Sequence, residues 1–201
     1  MVWFVKKKIS EGIKNIEGHL IINGELLNKS ELKDKKIPQN ALVETSDSGG
    51  VALVIGKDAY LLRENTSVKF KHNKKKKVKG IELNKGALLS VFARRRLKIR
   101  TVAAIVGVRG TGLYLEADEE KTYVCTCYGK VKLQVRNSPS ISEIVKTKRH
   151  DEPRYILKNE NRIVEAPIIN HTDLELIMLE KLVLRKPPFV GEDGKVKGGF
   201  Y

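Results

Sequence analysis

Between residues 13 and 135 the apolar positions come in short runs, and nearly every run is closed by glycine, asparagine or a pair of charges. A helix needs an apolar stripe sustained over several turns, so this punctuation confines most of the chain to strands and tight bends. His19-Leu20-Ile21-Ile22, Asn23-Gly24 and Glu25-Leu26-Leu27 read as a hairpin, because Asn-Gly supplies the positive φ angles of a type I′ turn. Residues 51–55 and 58–62, joined by Gly56-Lys57, form a second. Strand-like runs follow at 78–83, 87–92, 97–101, 103–108, 113–117, 122–127 and 131–135. The succession predicts an all-β fold: a two-layer sandwich or roll, or a solenoid-like assembly of short strands.

The chain changes character after Val135. Asn137-Ser138-Pro139-Ser140 is a turn, and the segment up to Pro167 is polar with brief extended stretches such as Tyr155-Ile156-Leu157. Thr172-Asp173-Leu174-Glu175 then spells a capping box, in which the Thr hydroxyl and the Glu carboxylate each satisfy an amide of the first helical turn. Leu174, Ile177, Met178 and Leu182 share one helical face, with Leu179 and Val183 widening the stripe. Arg185 and Lys186 suit the negative end of the helix dipole, and Pro187-Pro188 stops the helix. The expected organisation is a β domain over 13–136 and an extension over 137–201. The extension holds one α-helix, at about 173–185, packed on the strands as a cover, and a loose Gly- and Lys-rich end from Gly191.

Charge narrows the partners. Lysine and arginine number 39 against 24 acidic residues, a formal +15, but 28 of the 39 are lysine. Phosphate and base-edge recognition favours the planar fork of arginine. Basic runs stand at 6–8, 74–77 and 94–96, aromatics are only 6% of the chain, and none is interleaved with the 74–77 run as a stacking platform for bases would require. The surface therefore reads as a solvated, lysine-biased one; nucleic acid is disfavoured as a partner and an anionic membrane surface stays open. No apolar run approaches the roughly 18–20 residues of a transmembrane helix. Met1-Val2-Trp3-Phe4-Val5 has too few apolar residues for a signal peptide and carries its lysines on the wrong side, so an exported form takes its targeting segment from outside this chain.

The stretch Thr101-Val102-Ala103-Ala104-Ile105-Val106-Gly107-Val108-Arg109-Gly110-Thr111-Gly112, followed by Leu113-Tyr114-Leu115, resembles the signature of the FecR-type domain family: an apolar strand, a Val-Arg-Gly-Thr turn and another strand. Gly18-His19-Leu20 with Asn23-Gly24, Ala41 to Thr45, Gly50 to Ile55, Gly86 to Val91 and Thr122 to Val131 resemble other pieces of that family in the same order, over roughly residues 16–135. The usual Pro-Gly-Asp turn reads Pro38-Gln39-Asn40 here. The resemblance implies an all-β domain of the periplasm or cell envelope that is not an enzyme and that binds a protein partner in sensing or signal relay. Read from the residues themselves, Gly107, Gly110 and Gly112 allow a tight reversal, which leaves Arg109 to hydrogen-bond nearby carbonyls or a carboxylate and lock the turn; Gly107, Arg109, Gly110, Thr111 and Gly112 are thus expected to be structural. The regulators of that family relay their signal to a sigma factor through a helical domain and a membrane helix placed ahead of the β domain, neither of which this sequence contains. Cys-Thr-Cys-Tyr-Gly and the extension are similar to a subset of the family.

Cys125 and Cys127 are the most pointed chemical feature. On a regular strand both face one way with Cα atoms about 6.6 Å apart, at about 3.3 Å per residue. That spacing is wide for a shared metal unless a bulge at Thr126 swings the sulfurs together. His150 and His171 lie in the extension and complete a two-Cys, two-His set for zinc or copper if the extension folds back. Three readings stay open: small buried apolar side chains beside Tyr123, a metal site on Cys125, Cys127, His150 and His171, and thiol redox chemistry. His150-Asp151 offers a base beside an orienting carboxylate, but no nucleophile elbow, paired carboxylates, HExxH or phosphate loop accompanies it, and no catalytic residues are assigned. Beside protein binding, two alternative functions follow: a metal-binding or redox-responsive module, and polyanion binding through the basic surface.

Overall fold

The computed structural model describes residues 8–27 and 32–198. The N-terminal segment weighed above as a signal peptide and the last three residues of the expected loose end lie outside these. The chain opens with β1 (Gly12–Glu17), the hairpin β2 (Leu20–Ile22) and β3 (Glu25–Leu27), and then β4 (Leu42–Thr45). The strands β5 (Gly50–Ile55), β6 (Asp58–Leu62) and β7 (Ser67–His72) lead into β8 (Val78–Val91), the first of two long strands. The second, β12 (Lys121–Val135), follows β9 (Arg96–Arg100), β10 (Ala104–Arg109) and β11 (Gly112–Ala117). Three strands of the extension, β13 (Ser142–Thr147), β14 (Arg154–Leu157) and β15 (Arg162–Glu165), precede the helix α1 (Asp173–Leu182).

The first half of β8 pairs with β7 and, in parallel, with β9; its second half pairs with β6 and β11. The first half of β12 pairs with β11 and β14, and its second half with β10 and β13. Because β9 also pairs with β10, the circuit β8–β9–β10–β12–β11 closes on itself as a five-stranded barrel. Among the described residues the structure is therefore all-β with one C-terminal helix, and among sandwich, roll and solenoid it is a closed roll. Arms extend from the ring: β4, β2 and β3 beyond β7, β5 and β1 beyond β6, and β15 beyond β14.

Four of the short runs read from the sequence are the halves of β8 and β12. Side chains alternate across a strand with period two, so a slip of one residue looks like a break. In β8, beyond an irregularity next to Val78, Ile81 and Leu83 face the core before the slip and Leu88 after it; in β12 Val124 does so before, and Val131, Leu133 and Val135 after. Both slips sit at a bend. Gly86 takes φ +85° and Gly129 φ +98°. In β12 the bend includes a bulge: Leu113 faces Thr126 and Gly112 faces Tyr128, which leaves Cys127 as the extra residue. Each long strand can then serve two differently oriented sheets.

The sheet that contains β5, β6 and β11 is buried on both faces. Leu53, Tyr60, Leu62, Leu88, Leu113 and Leu115 belong to the main core, while Val54, Ala59, Leu89, Val91, Tyr114 and Tyr123 form a second apolar cluster with Leu176 and Leu179 of α1 and Val183 at its C-cap. Double burial explains why these strands read as unbroken apolar runs. The helix itself is capped as expected, with Thr172 accepting from the Glu175 amide and Glu175 accepting from the Thr172 amide. Its buried face differs from the expected one. Leu176, Leu179 and Val183 are buried, whereas Leu174 is 60% exposed and Met178 39%. The reason is that Asp173 and Glu180 lie on the inner face, each answered by a partner described below.

A methyl group on Gly86 would stand 2.5 Å from Thr66 Cα, whereas one on Gly24, also at positive φ, would meet nothing within 4 Å. Gly24→Ala is expected to cost about 1 kcal/mol from backbone strain alone. Gly86→Ala should exceed it by about 2 kcal/mol or more, because the overlap cannot relax without moving backbone. Urea denaturation of the two variants checks the difference, and equal costs would deny Gly86 its part in the bend.

Candidate metal centre

The outer face of β12 presents Tyr123, Cys125 and Cys127 and, because of the extra residue, Tyr128 as well. Cys125 and Cys127 are reduced and without solvent exposure beneath α1. The bulge that the sequence demanded for converging sulfurs is present, one residue later than Thr126.

His150 arrives in the turn after β13. Its backbone sits at φ +50°, and its N–H donates to Cys127 O at 3.0 Å. Asp151, the neighbour expected to orient it, instead accepts from the Lys148 and Arg149 amides at 3.1 and 3.4 Å. The orienting carboxylate is Asp173, at the first position of α1, whose Oδ1 lies 3.2 Å from His150 Nε2. Arg149 forks onto the same carboxylate, reaching Oδ1 with Nε at 3.4 Å and Oδ2 with Nη2. His171 arrives in the loop before α1. Its Nδ1 lies 2.6 Å from Ile169 O, and its ring stacks on Tyr114 at 4.5 Å between centroids. Tyr123 pins that loop, donating to Pro167 O at 2.9 Å and accepting from the Ile169 amide at 3.3 Å.

These outer contacts determine what the inner ring nitrogens present. A carboxylate and a carbonyl only accept, so His150 Nε2 and His171 Nδ1 must carry protons, and the neutral rings then offer lone pairs at His150 Nδ1 and His171 Nε2. Those two nitrogens are 2.9 Å apart, and Cys125 Sγ is 3.4 Å from His150 Nδ1. All four donor atoms, including Cys127 Sγ, fall within 4.8 Å of one another. Lone pairs that converge this closely need an electrophile among them. A proton is one: hydrogen bonds from Cys127, then from His150 and His171, hold Cys125 down at about 4 against the cost of its burial. Burial alone would lower His150, but the Cys125 sulfur and the Asp173 carboxylate outweigh it and hold His150 above its ordinary value. Burial, followed by the neighbouring Cys125, pushes the Cys127 thiol well up. A thiophilic cation is the other electrophile this donor set can hold. With exposures of 0, 0, 1 and 6% for Cys125, Cys127, His150 and His171, the cluster gives no access to a substrate.

The Val-Arg-Gly-Thr turn stands beside this cluster. Arg109 ends β10 opposite Arg96 with its side chain exposed and, among the described residues, without a hydrogen bond. Gly110 turns the chain at φ +63°. Gly112 is required on steric grounds, since a Cβ there would lie 2.3 Å from the Tyr128 ring. The missing side chain lets Tyr128 lie flat across β11 and donate its hydroxyl to Glu180 of α1. Gly107 lies within β10, between Lys98 and Lys132, and Thr111 is buried. The two groups that spacing alone missed are Asp173 and Arg149; their only trace in the sequence is an acidic first helical position beside a capping threonine.

Comparison with known proteins places the ring and its β4–β7 arm. Residues 42–132 match the FecR protein family. Two crystal structures of a "putative anti-sigma factor" from Parabacteroides distasonis ATCC 8503 share the fold. One, at 1.65 Å, has 15% identity and a TM-score of 0.52 over 62% of this chain and 58% of its own; the other, at 2.50 Å, has 14% identity and a TM-score of 0.53 over 80% of this chain and 83% of its own. The chain thus spans under two thirds of the first of these. The curated proteins yield no match. Cys125 and Cys127 lie inside the matched segment, whereas His150, His171 and Asp173 lie beyond it, in the extension.

Asp173 has no solvent exposure, and truncating one partner of a buried ion pair strands the other charge. Asp173→Ala should lower stability by about 3–5 kcal/mol, while Leu174→Ala, on the exposed face, should stay within about 0.5 kcal/mol. Thermal or urea unfolding of both variants checks this; the reverse order would mean that α1 packs on the face its apolar residues suggest.

Proposed function

We propose that the protein is a non-enzymatic FecR-type module of the cell envelope that relays a signal by binding a protein partner. The observation that carries this reading is the FecR match across the strands that build the barrel. The sealing of the Cys/His cluster supports it, since the convergent reactive groups there are closed to substrates. The anti-sigma description of the two structural neighbours favours a partner in transcriptional signalling.

The barrel has no edge to which a partner strand can add, so strand addition is left to the arms. Among the described residues β13 pairs with β12 alone. Ile141 and Ile144, at and beside this strand, are 40% and 59% exposed, large apolar side chains next to an open edge. The polyanion reading is weaker on one concrete point: in the 94–96 run, Arg95 is already engaged with buried Asp58 and with Val78 O.

The test is recovery of partners on the tagged full chain expressed in its own cell. A specific protein should be retained, and Ile144→Lys should reduce its recovery by about tenfold, the equivalent of about 1.4 kcal/mol, without changing the thermal midpoint. Retention of DNA or anionic vesicles that collapses with salt, in place of a protein, would overturn the reading.

A further inference from the structure

The cluster of Cys125, Cys127, His150 and His171 is not needed for a FecR barrel, whose matched segment holds only its sulfur half. The geometry points to a structural zinc site: one Zn²⁺ held by Cys125 Sγ, Cys127 Sγ, His150 Nδ1 and His171 Nε2, clasping the extension onto the FecR domain. Four observations converge. The donor set is two sulfurs and two imidazoles, a common composition for closed, four-coordinate zinc. With bonds of about 2.3 Å to sulfur and about 2.0 Å to nitrogen, tetrahedral neighbours stand roughly 3.3–3.8 Å apart. The distances of 2.9 and 3.4 Å, with none beyond 4.8 Å, bracket that range. Both histidines already have the outer partner that metal-ligating histidines use to fix their tautomer, a carboxylate for His150 and a carbonyl for His171. The site is sealed, which leaves no open position for a substrate and suits a structural rather than a catalytic metal.

Charge selects the ion. Two thiolates and two neutral imidazoles carry −2, so Zn²⁺ leaves the cluster neutral; Cu⁺ would leave −1 in a pocket no more than 6% exposed. Asp173 does not alter this balance, because its charge is already matched by Arg149. The ligands also come from three places: β12, the turn after β13 and the loop before α1. A metal there ties the helix and its approach loop to the barrel wall.

The experiment uses the full chain, purified under reducing conditions without metal-affinity resin. Elemental analysis should find one zinc per chain, and cobalt substitution should give the ligand-field and thiolate charge-transfer bands of a tetrahedral site. Cys125→Ser/Cys127→Ser should abolish both. If that variant does not fold, chelator titration of the wild type gives the answer instead. With free zinc held at a hundred times its Kd, hydrogen exchange through local opening of α1 and its approach loop should be about a hundredfold slower than after chelation, with β9 and β10 unchanged. A reduced protein that takes up no zinc when zinc is supplied, or a native protein with a Cys125–Cys127 disulfide, would overturn the site. Bound zinc whose removal leaves exchange in α1 unaltered would overturn the clasp. None of these outcomes depends on whether a protein partner is found.

Discussion

Asp173 stands in the first turn of α1 with no access to water, so the protein itself must answer its charge. Arg149 and His150 do so from a single turn, and both must be in place for the helix to seat. Much of the extension follows from that requirement. The carboxylate rotates α1 so that Leu176, Leu179 and Val183 face the sheet and Leu174 faces solvent. Glu180, two turns further along and also buried, is answered by Tyr128 and Arg185. Two polar anchors on one helical face thus override the apolar stripe, because an unanswered buried charge costs more than exposing a leucine.

The barrel supplies what those anchors dock against. A strand that changes sheets needs a bend, and a bend needs either a residue tolerant of positive φ or an extra residue; β12 uses both within three positions. The bulge has a chemical by-product. By shifting the alternation it brings Tyr128 to the side that Cys125 and Cys127 already share, so the geometry that closes the barrel also aims the Tyr128 hydroxyl at α1. Gly112 of the Val-Arg-Gly-Thr turn makes room for that ring. Part of the family signature therefore has a steric explanation, while Arg109, exposed at a strand end, owes nothing to the packing.

Local chemistry was legible in the sequence and long-range choice was not. Asn23-Gly24 turns at φ +53° and +86° as a type I′ hairpin should, and Thr172 caps α1 as the Thr-x-x-Glu spacing demands. The four residues named as a ligand set do meet. What failed was anything settled by competition between distant groups. Alternation could not show that 78–83 and 87–92 are one strand, since the slip at Gly86 mimics an end. Helical periodicity could not show that two acids would go inside, and adjacency suggested Asp151 for His150 when the partner lay 23 residues away.

The division of the cluster between two parts of the chain has a consequence for biosynthesis. Ribosomes release the N-terminal end first, so both thiols emerge before either imidazole that will enclose them. At about 5–20 residues per second the delay from Cys127 to His171 is a few seconds. During that interval the sulfur pair lies open on a nascent sheet, accessible to any oxidant nearby. Arrival of the two imidazoles and the helix behind them ends the exposure.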